Sequence, residues 1–198
     1  DLQRQLNDHT NGVMWVDGIT KENRNISWYR CIYMEAAEAI DSFNWKHWKS
    51  INTDPDWANI RVELVDIWHF IMSESIRIKD ENYANKYLKL KPQGNFNAEV
   101  LIDTLEKMLS LSVASNIDPK INNIRDITDL FFIAISQVDM GIGELYKRYV
   151  VKNQLNTFRQ QHGYKDGSYI KLWDTVEDNV VAFKIMDENP SISPSGLY

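Results

Sequence analysis

Apolar residues recur at helical spacing through most of this 198-residue chain, while Val, Ile and Thr alternating with polar residues between hairpin signals are hard to find. An all-α helical bundle is the fold this pattern predicts. Helices are expected over Asp1–His9, Trp28–Trp48, Trp57–Ile78, Ala98–Ser115, Asn122–Asp139 and Gly143–His162, with Ile170–Asp187 a further candidate. Thr10–Ser27 and Lys89–Asn97 read as the main loops, marked by Asn11-Gly12, Asp17-Gly18 and Pro92-Gln93-Gly94-Asn95. No internal repeat or linker divides the chain, so residues 1–198 are expected to form one domain. Pro190 and Pro194 exclude a helix interior, which makes 189–198 a frayed tail or an arm on a partner subunit.

The apolar stripes place four acids. At about 100° per residue, Trp28, Ile32, Ala36, Ala39 and Phe43 share one face of their helix, and Glu35 with Glu38 lies about a quarter turn away. In the next helix, Ile60, Leu64, Ile67 and Ile71 form the stripe, bordered by Glu63 and Asp66. Antiparallel packing of the two stripes, through a turn around Asn52-Thr53-Asp54-Pro55, lets the four acids converge at the rim of the core. Two like charges about 4 Å apart repel by roughly 4 kcal/mol at an effective dielectric of about 20. A converged cluster therefore needs cations, and Mg²⁺ or Mn²⁺ suits an all-oxygen donor set. Apart from one another, the same acids are ordinary solvated helix residues, and spacing alone leaves both arrangements open.

Charge and cysteine usage narrow the partners. Lys+Arg 22 against Asp+Glu 28 gives a net charge of −6, which argues against a nucleic-acid coat but not against a small anion held by a local basic cluster. The single cysteine, Cys31, excludes an intrachain disulfide and Cys-rich zinc sites and fits a reducing compartment. It falls about 40° from Glu35 and either lines the same site or fills the core. No apolar run approaches the roughly 18 residues of a membrane span and no signal-peptide core is present, so a cytoplasmic protein without membrane contact is expected.

A second constellation lies near the C-terminus. Lys152, Asn156 and Arg159 follow i, i+4, i+7 spacing, and Tyr164 and Lys165 sit in the polar turn after His162-Gly163. An Arg fork, a point-charge Lys and a Tyr hydroxyl suit phosphate oxygens, although Lys and Arg at a helix end also simply complement the dipole. Gln3 and Asn7 stand one turn apart, and their amides can read a base edge or merely solvate the helix. Trp45 and Trp48 can stack on a base or wedge the helix end against the core. His69 extends Glu63-x2-Asp66 by three residues, either contacting a ligand and orienting Asp66 or sitting hydrogen-bonded at the core margin.

Taken together, Tyr33-Met-Glu-Ala-Ala-Glu-Ala-Ile-Asp41 with Trp45-Lys-His-Trp48, Glu63-Leu-Val-Asp66-Ile-Trp-His69, Lys152-Asn-Gln-Leu-Asn156-x2-Arg159 and Gly163-Tyr-Lys-Asp-Gly167 resemble the dimeric dUTPases. These belong to the all-α nucleotide pyrophosphohydrolase superfamily, and the likeness is greatest to the epsilon-proteobacterial form. It covers Gln3–Trp173, is thinnest across Asp80–Arg125, and is most specific in the Lys/Asn/Arg helix followed by Gly-Tyr-Lys-Asp-Gly. The resemblance implies a homodimer that hydrolyses dUTP, and also dUDP, to dUMP with Mg²⁺ in a nucleotide-sanitising role. It implies that Glu35, Glu38, Glu63 and Asp66 hold the metal; water activated by the cation needs a carboxylate base, a role assigned to Glu38 or, where Glu38 is purely a ligand, to Glu35. Lys152, Arg159, Tyr164 and Lys165 would hold phosphate, and Gln3, Asn7 and Asn156, with His69 and Trp45 beside them, would contact the nucleoside.

Three rivals stand against this reading. A related pyrophosphohydrolase acting on dCTP or a modified nucleotide differs by as little as an amide flip. A di-iron carboxylate bundle needs two Glu-x2-His motifs, and the sequence has none. A non-catalytic helical interaction protein would leave both acidic pairs exposed and metal-free.

Overall fold

The structure, a computed structural model, describes residues 1–49, 52–92, 94, 97–118 and 120–189. Among these residues the chain forms α1 (Leu2–Asn11), α2 (Trp28–Asp41), α3 (Trp57–Arg77), α4 (Ala98–Ile117), α5 (Ile124–Gln137), α6 (Ile142–Gln161) and α7 (Asp178–Glu188). Short 3₁₀ turns cover Val13–Asp17 and Tyr83–Tyr87, and β1 (Leu172–Trp173) pairs antiparallel with β2 (Val176–Glu177). The all-α class expected from the periodicity holds, with one small hairpin added.

Helices α2, α3, α4 and α5 pack on one another as the central bundle, α1 lies across α3 and α6, and α7 rests on α6. The sequence explains why α2 and α3 pair. Ser27 and Asp56 cap their N-termini, accepting from the backbone N–H groups of Arg30 at 3.1 Å and Asn59 at 3.0 Å. The predicted stripes are the buried faces: Ile32, Ala36 and Ala39 meet Ile60, Leu64, Ile67 and Ile71, with Leu101, Leu105 and Met108 of α4 and Phe131 of α5 closing the core. Each Ile, Leu, Met or Phe among them contributes about 1.5–3 kcal/mol of transfer free energy, and the alanines less. The pair runs antiparallel, since Asn59 at the start of α3 donates to Ser42 at the end of α2 (2.9 Å), while Trp28 at the start of α2 stacks on Phe70, with ring centroids 6.0 Å apart.

Three expectations need correction. Helix α2 stops at Asp41, not Trp48. Phe43 leaves the helix to bury itself edge-on against Trp57 at 5.8 Å, so the aromatic run prolongs the apolar signal without prolonging the helix. The candidate helix Ile170–Asp187 begins as a hairpin whose turn residues Asp174 and Thr175 take φ 48° and 74°, and only Asp178–Glu188 is helical. Thr10–Ser27 is an anchored segment as well as a connection. Trp15 is fully buried there, its indole N–H donates to Asp8 at 2.6 Å, and Ile19 bridges Asn25. Within the polar turn after α6, Gly163 has φ 86°, and a Cβ there would lie 2.0 Å from the Ser168 hydroxyl, which makes that position a glycine for both reasons. The expected turn at Pro92–Asn95 and the tail fall partly outside the described residues, as Gln93, Asn95 and 190–198 do.

Candidate active site

Because α2 and α3 run antiparallel with their apolar faces in register, the acids bordering those faces meet. Ligand atoms of Glu35, Glu63 and Asp66 all lie within 4.8 Å of one another. Glu63 is buried, Glu35 and Asp66 are half-buried, and Glu38 is exposed one turn from Glu35, outside the group of three. The carboxyls of Glu35 and Glu63 are pushed above the ordinary carboxylate range, in both cases first by burial and next by the charge of Asp66. The two acids hydrogen-bond each other, and Glu38 adds repulsion to both. Without a cation this cluster holds protons at the expense of charge. A set of close, like-charged oxygen donors fits a hard divalent cation, which would replace those protons. Cys31, beside the cluster, has its thiol raised to about 11 by burial and then by Glu35, so it stays a neutral thiol.

Helix α6 brings two buried cations to the same place. Lys152, 2% exposed, extends its ammonium to Asp66 at 2.8 Å and to the side-chain oxygen of Asn179 at 2.8 Å. Arg159 donates twice to Asp178, at 2.8 and 2.7 Å, and also to Asn156 at 3.2 Å and Asn179 at 3.3 Å. Tyr169 adds its hydroxyl to the same Asp178 carboxylate at 2.8 Å. Tyr164 lies next to this group, with the Arg159 guanidinium 5.6 Å from its ring centre. Lys165 points elsewhere, to Glu22 at 2.5 Å and the Thr10 carbonyl at 3.0 Å, and ties the Gly163–Gly167 turn to the first loop.

Gln3 and Asn7, each 4% exposed, are bound into a polar network beneath α1. Gln3 donates to Asn7 (3.1 Å) and to Ser73 (3.1 Å), Asn7 donates to Ser73 (2.9 Å), and Tyr149 donates to Gln3 (3.3 Å). His69 faces Tyr149 with ring centroids 4.7 Å apart. Its Nδ1 lies 2.9 Å from the Val65 carbonyl, and a carbonyl only accepts, so Nδ1 carries the hydrogen and Nε2 is a bare acceptor. Burial holds the ring neutral, lowering its pKa to about 4. Among the described residues, Nε2 of His69 and Nε1 of Trp28 are the buried side-chain atoms without a partner. Trp45 lies apart from this network beyond the end of α2, 46% exposed and edge-on to Trp48 at 5.7 Å.

The structure thus joins Glu35, Glu63, Asp66, Lys152 and, through Asn179, Arg159 into one site, with Gln3, Asn7 and His69 in a neighbouring network reached along α3. Sequence reading missed Asp178, Asn179, Ser73 and Tyr149. Ser73 carried a signal, since Asp66, His69 and Ser73 at i, i+3, i+7 form one polar stripe on α3. Asp178 carried none, because a helix-start Asp is ordinary and its partner lies 19 residues away.

Clustered oxygen donors, buried cations beside them and paired amides nearby, all mounted on helices, are the parts of a nucleotide-hydrolysing enzyme of the all-α class. The family model described as dUTPase matches residues 1–164, and the chain belongs to that family, as a dUTP diphosphatase. Dependence on a divalent cation is general among dUTPases, and Glu35, Glu63 and Asp66 give this chain the corresponding oxygen cluster. The hairpin and α7, which carry Asp178 and Asn179, follow the matched segment. No curated protein matches the chain. No helix among the described residues is long and apolar enough to cross a membrane.

Proposed function

We propose that the chain hydrolyses dUTP to dUMP and pyrophosphate, and dUDP to dUMP and phosphate, with Mg²⁺ held by Glu35, Glu63 and Asp66 and completed by Glu38. The observation that carries this reading is the contact between Lys152 and Asp66, which sets a buried phosphate-compatible cation directly against the carboxylate cluster. Bound Mg²⁺ would neutralise phosphate oxygens and lower the pKa of water, and Mn²⁺ would substitute for it.

The remaining roles belong to side chains of this chain. Glu38, exposed and outside the close group of three, is free to take the proton of the attacking water. Lys152 and Arg159 hold phosphate oxygens, Arg159 sharing its fork between Asp178 and the ligand, and Tyr164 borders them. Lys165 reaches the phosphates only by leaving Glu22. Gln3, Asn7 and Asn156 contact the nucleoside, the bare Nε2 of His69 accepts from one of its hydroxyl or N–H groups, and Trp45 would cover it only by moving from its place beyond the end of α2. We also infer a homodimer, supported by exposed Trp48, Leu88, Tyr146 and Ile117, each more than 60% accessible.

Pyrophosphate release from dUTP, dCTP, dTTP and UTP, with Mg²⁺ and with a chelator, tests this reading. dUTP turned over tens of times faster than the others, and only with the metal, is the expected pattern. Faster turnover of dCTP would shift the substrate to the alternative pyrimidine. A mass of about 23 kDa by light scattering, that of the single chain, would refute the dimer.

A further inference from the structure

We propose that Ser73, which nothing in the family match singles out, sets which pyrimidine the enzyme accepts by locking the amide of Asn7 in one sense. This rests on the reading of Gln3 and Asn7 as base-contacting residues given above.

The lock follows from counting hydrogens. Ser73 is fully buried on α3, and its hydroxyl lies 2.8 Å from the backbone carbonyl of His69 one turn earlier. A carbonyl cannot donate, so the single hydroxyl hydrogen of Ser73 is spent there. Its oxygen then has only lone pairs to offer the two amides that reach it, Nε2 of Gln3 at 3.1 Å and Nδ2 of Asn7 at 2.9 Å. Both amides must therefore turn their NH₂ groups toward Ser73. Gln3 uses its two hydrogens on Ser73 and on Oδ1 of Asn7, while its own oxygen accepts from the Tyr149 hydroxyl at 3.3 Å. Tyr149 is free to donate in that direction because its oxygen receives from Nδ2 of Asn153 at 3.4 Å.

After these bonds Asn7 retains one N–H and one lone pair on Oδ1. A flip of Asn7 would set its oxygen against the spent oxygen of Ser73 and its NH₂ against the NH₂ of Gln3, losing two hydrogen bonds and creating two like-against-like contacts. Such unpaired buried groups are costly. At a fixed position of the sugar, uracil presents an N–H at ring position 3 and an acceptor at position 4, whereas cytosine presents the reverse. An Asn7 free to flip serves both bases, and an Asn7 held by Ser73 serves one. Ser73 lies behind the amides and acts through them, as a positioning residue.

The test is Ser73→Ala, assayed as the ratio of kcat/KM for dUTP to that for dCTP, alongside Ser73→Thr and Asn7→Ala. The lock predicts a ratio lowered about tenfold or more in Ser73→Ala, by a greater factor than kcat for dUTP falls, with the KM for dCTP decreasing. Ser73→Thr keeps the hydroxyl and retains the ratio. A residue that merely fills space would slow both substrates in parallel, and an unchanged ratio in Ser73→Ala overturns the lock. If Asn7→Ala lowers the ratio while Ser73→Ala does not, only the lock fails. If neither variant moves it, the base-reading role of α1 fails as well. Should Ser73→Ala not fold, Ser73→Cys, similar in volume and a poor donor, carries the same comparison with the same two outcomes.

Discussion

The acidic and the basic halves of this site are built on opposite principles. On α2 and α3, carboxylates crowd within 4.8 Å of one another, and burial and then the charge of Asp66 push Glu35 and Glu63 up even though Lys152 pairs with Asp66 and partly relieves Glu63. On α6 and α7, Arg159 and Lys152 are buried and held by protein partners, Asp178 and Asn179 among them. The first half carries unrelieved repulsion that a bound cation would remove. The second is held in place in advance, so under the proposed function phosphate oxygens would join an arrangement already formed and cost little reorganisation. One half stores repulsion for a ligand to relieve, while the other spends protein contacts to keep its donors aimed.

Changes to the acidic half should affect activity most. Glu63→Gln removes one charge of the proposed metal site at nearly constant volume and should lower Mg²⁺-dependent turnover of dUTP by about a thousandfold or more while the fold persists. Wild-type pyrophosphate release by this variant would break the contrast at its root. In the basic half, Asp178→Asn strips a buried guanidinium of its counter-charge. It should cost about 3–5 kcal/mol of stability in chemical denaturation and lower kcat/KM for dUTP about a hundredfold. A variant as stable as the parent would show that α7 does not hold Arg159 as described. Arg159→Lys keeps charge and loses the fork, so affinity for a non-hydrolysable dUTP analogue should fall about tenfold, while affinity for deoxyuridine changes less. Equal losses for both ligands would place Arg159 outside the phosphate contacts.

The smallest effect concerns metal-free stability. A carboxyl whose pKa is raised by folding keeps a proton that the unfolded chain releases, so its contribution turns unfavourable as pH climbs from the ordinary carboxylate range toward the folded value. Glu35→Gln escapes this loss. With chelator present, its melting temperature should exceed that of the parent by a few degrees near pH 8 and match it near pH 4, about what 1 kcal/mol produces in a chain of this size. A gap independent of pH would point to packing in place of charge relief.

The same contrast explains what could be read in advance. Carboxylate positions follow from helical periodicity beside two long stripes, a local property, and three of the four acids, Glu35, Glu63 and Asp66, meet at the rim the stripes predict while Glu38 stays outside the close group. Gln3 with Asn7 and Lys152 with Arg159 were visible as spacings, but their furnishing was not. Asp178 meets Arg159 through a hairpin whose turn residues Asp174 and Thr175 adopt left-handed angles usually taken by Asn-Gly, so no turn signal announced it. The overrun of α2 past Asp41 has a similar origin. Ser42 ends the helix without Gly or Pro, and Phe43 satisfies the apolar pattern from a non-helical backbone.

Binding measured separately for metal and nucleotide tests the division of labour most directly. Mn²⁺ affinity followed by paramagnetic resonance, and dUMP affinity followed by calorimetry, should be compared in the parent chain and in Glu63→Gln. Metal affinity should drop at least tenfold in the variant while dUMP, which the proposed function assigns to α1 and α6, binds within about twofold of the parent. Undiminished Mn²⁺ binding, or loss of dUMP affinity in step with the metal, would contradict the account.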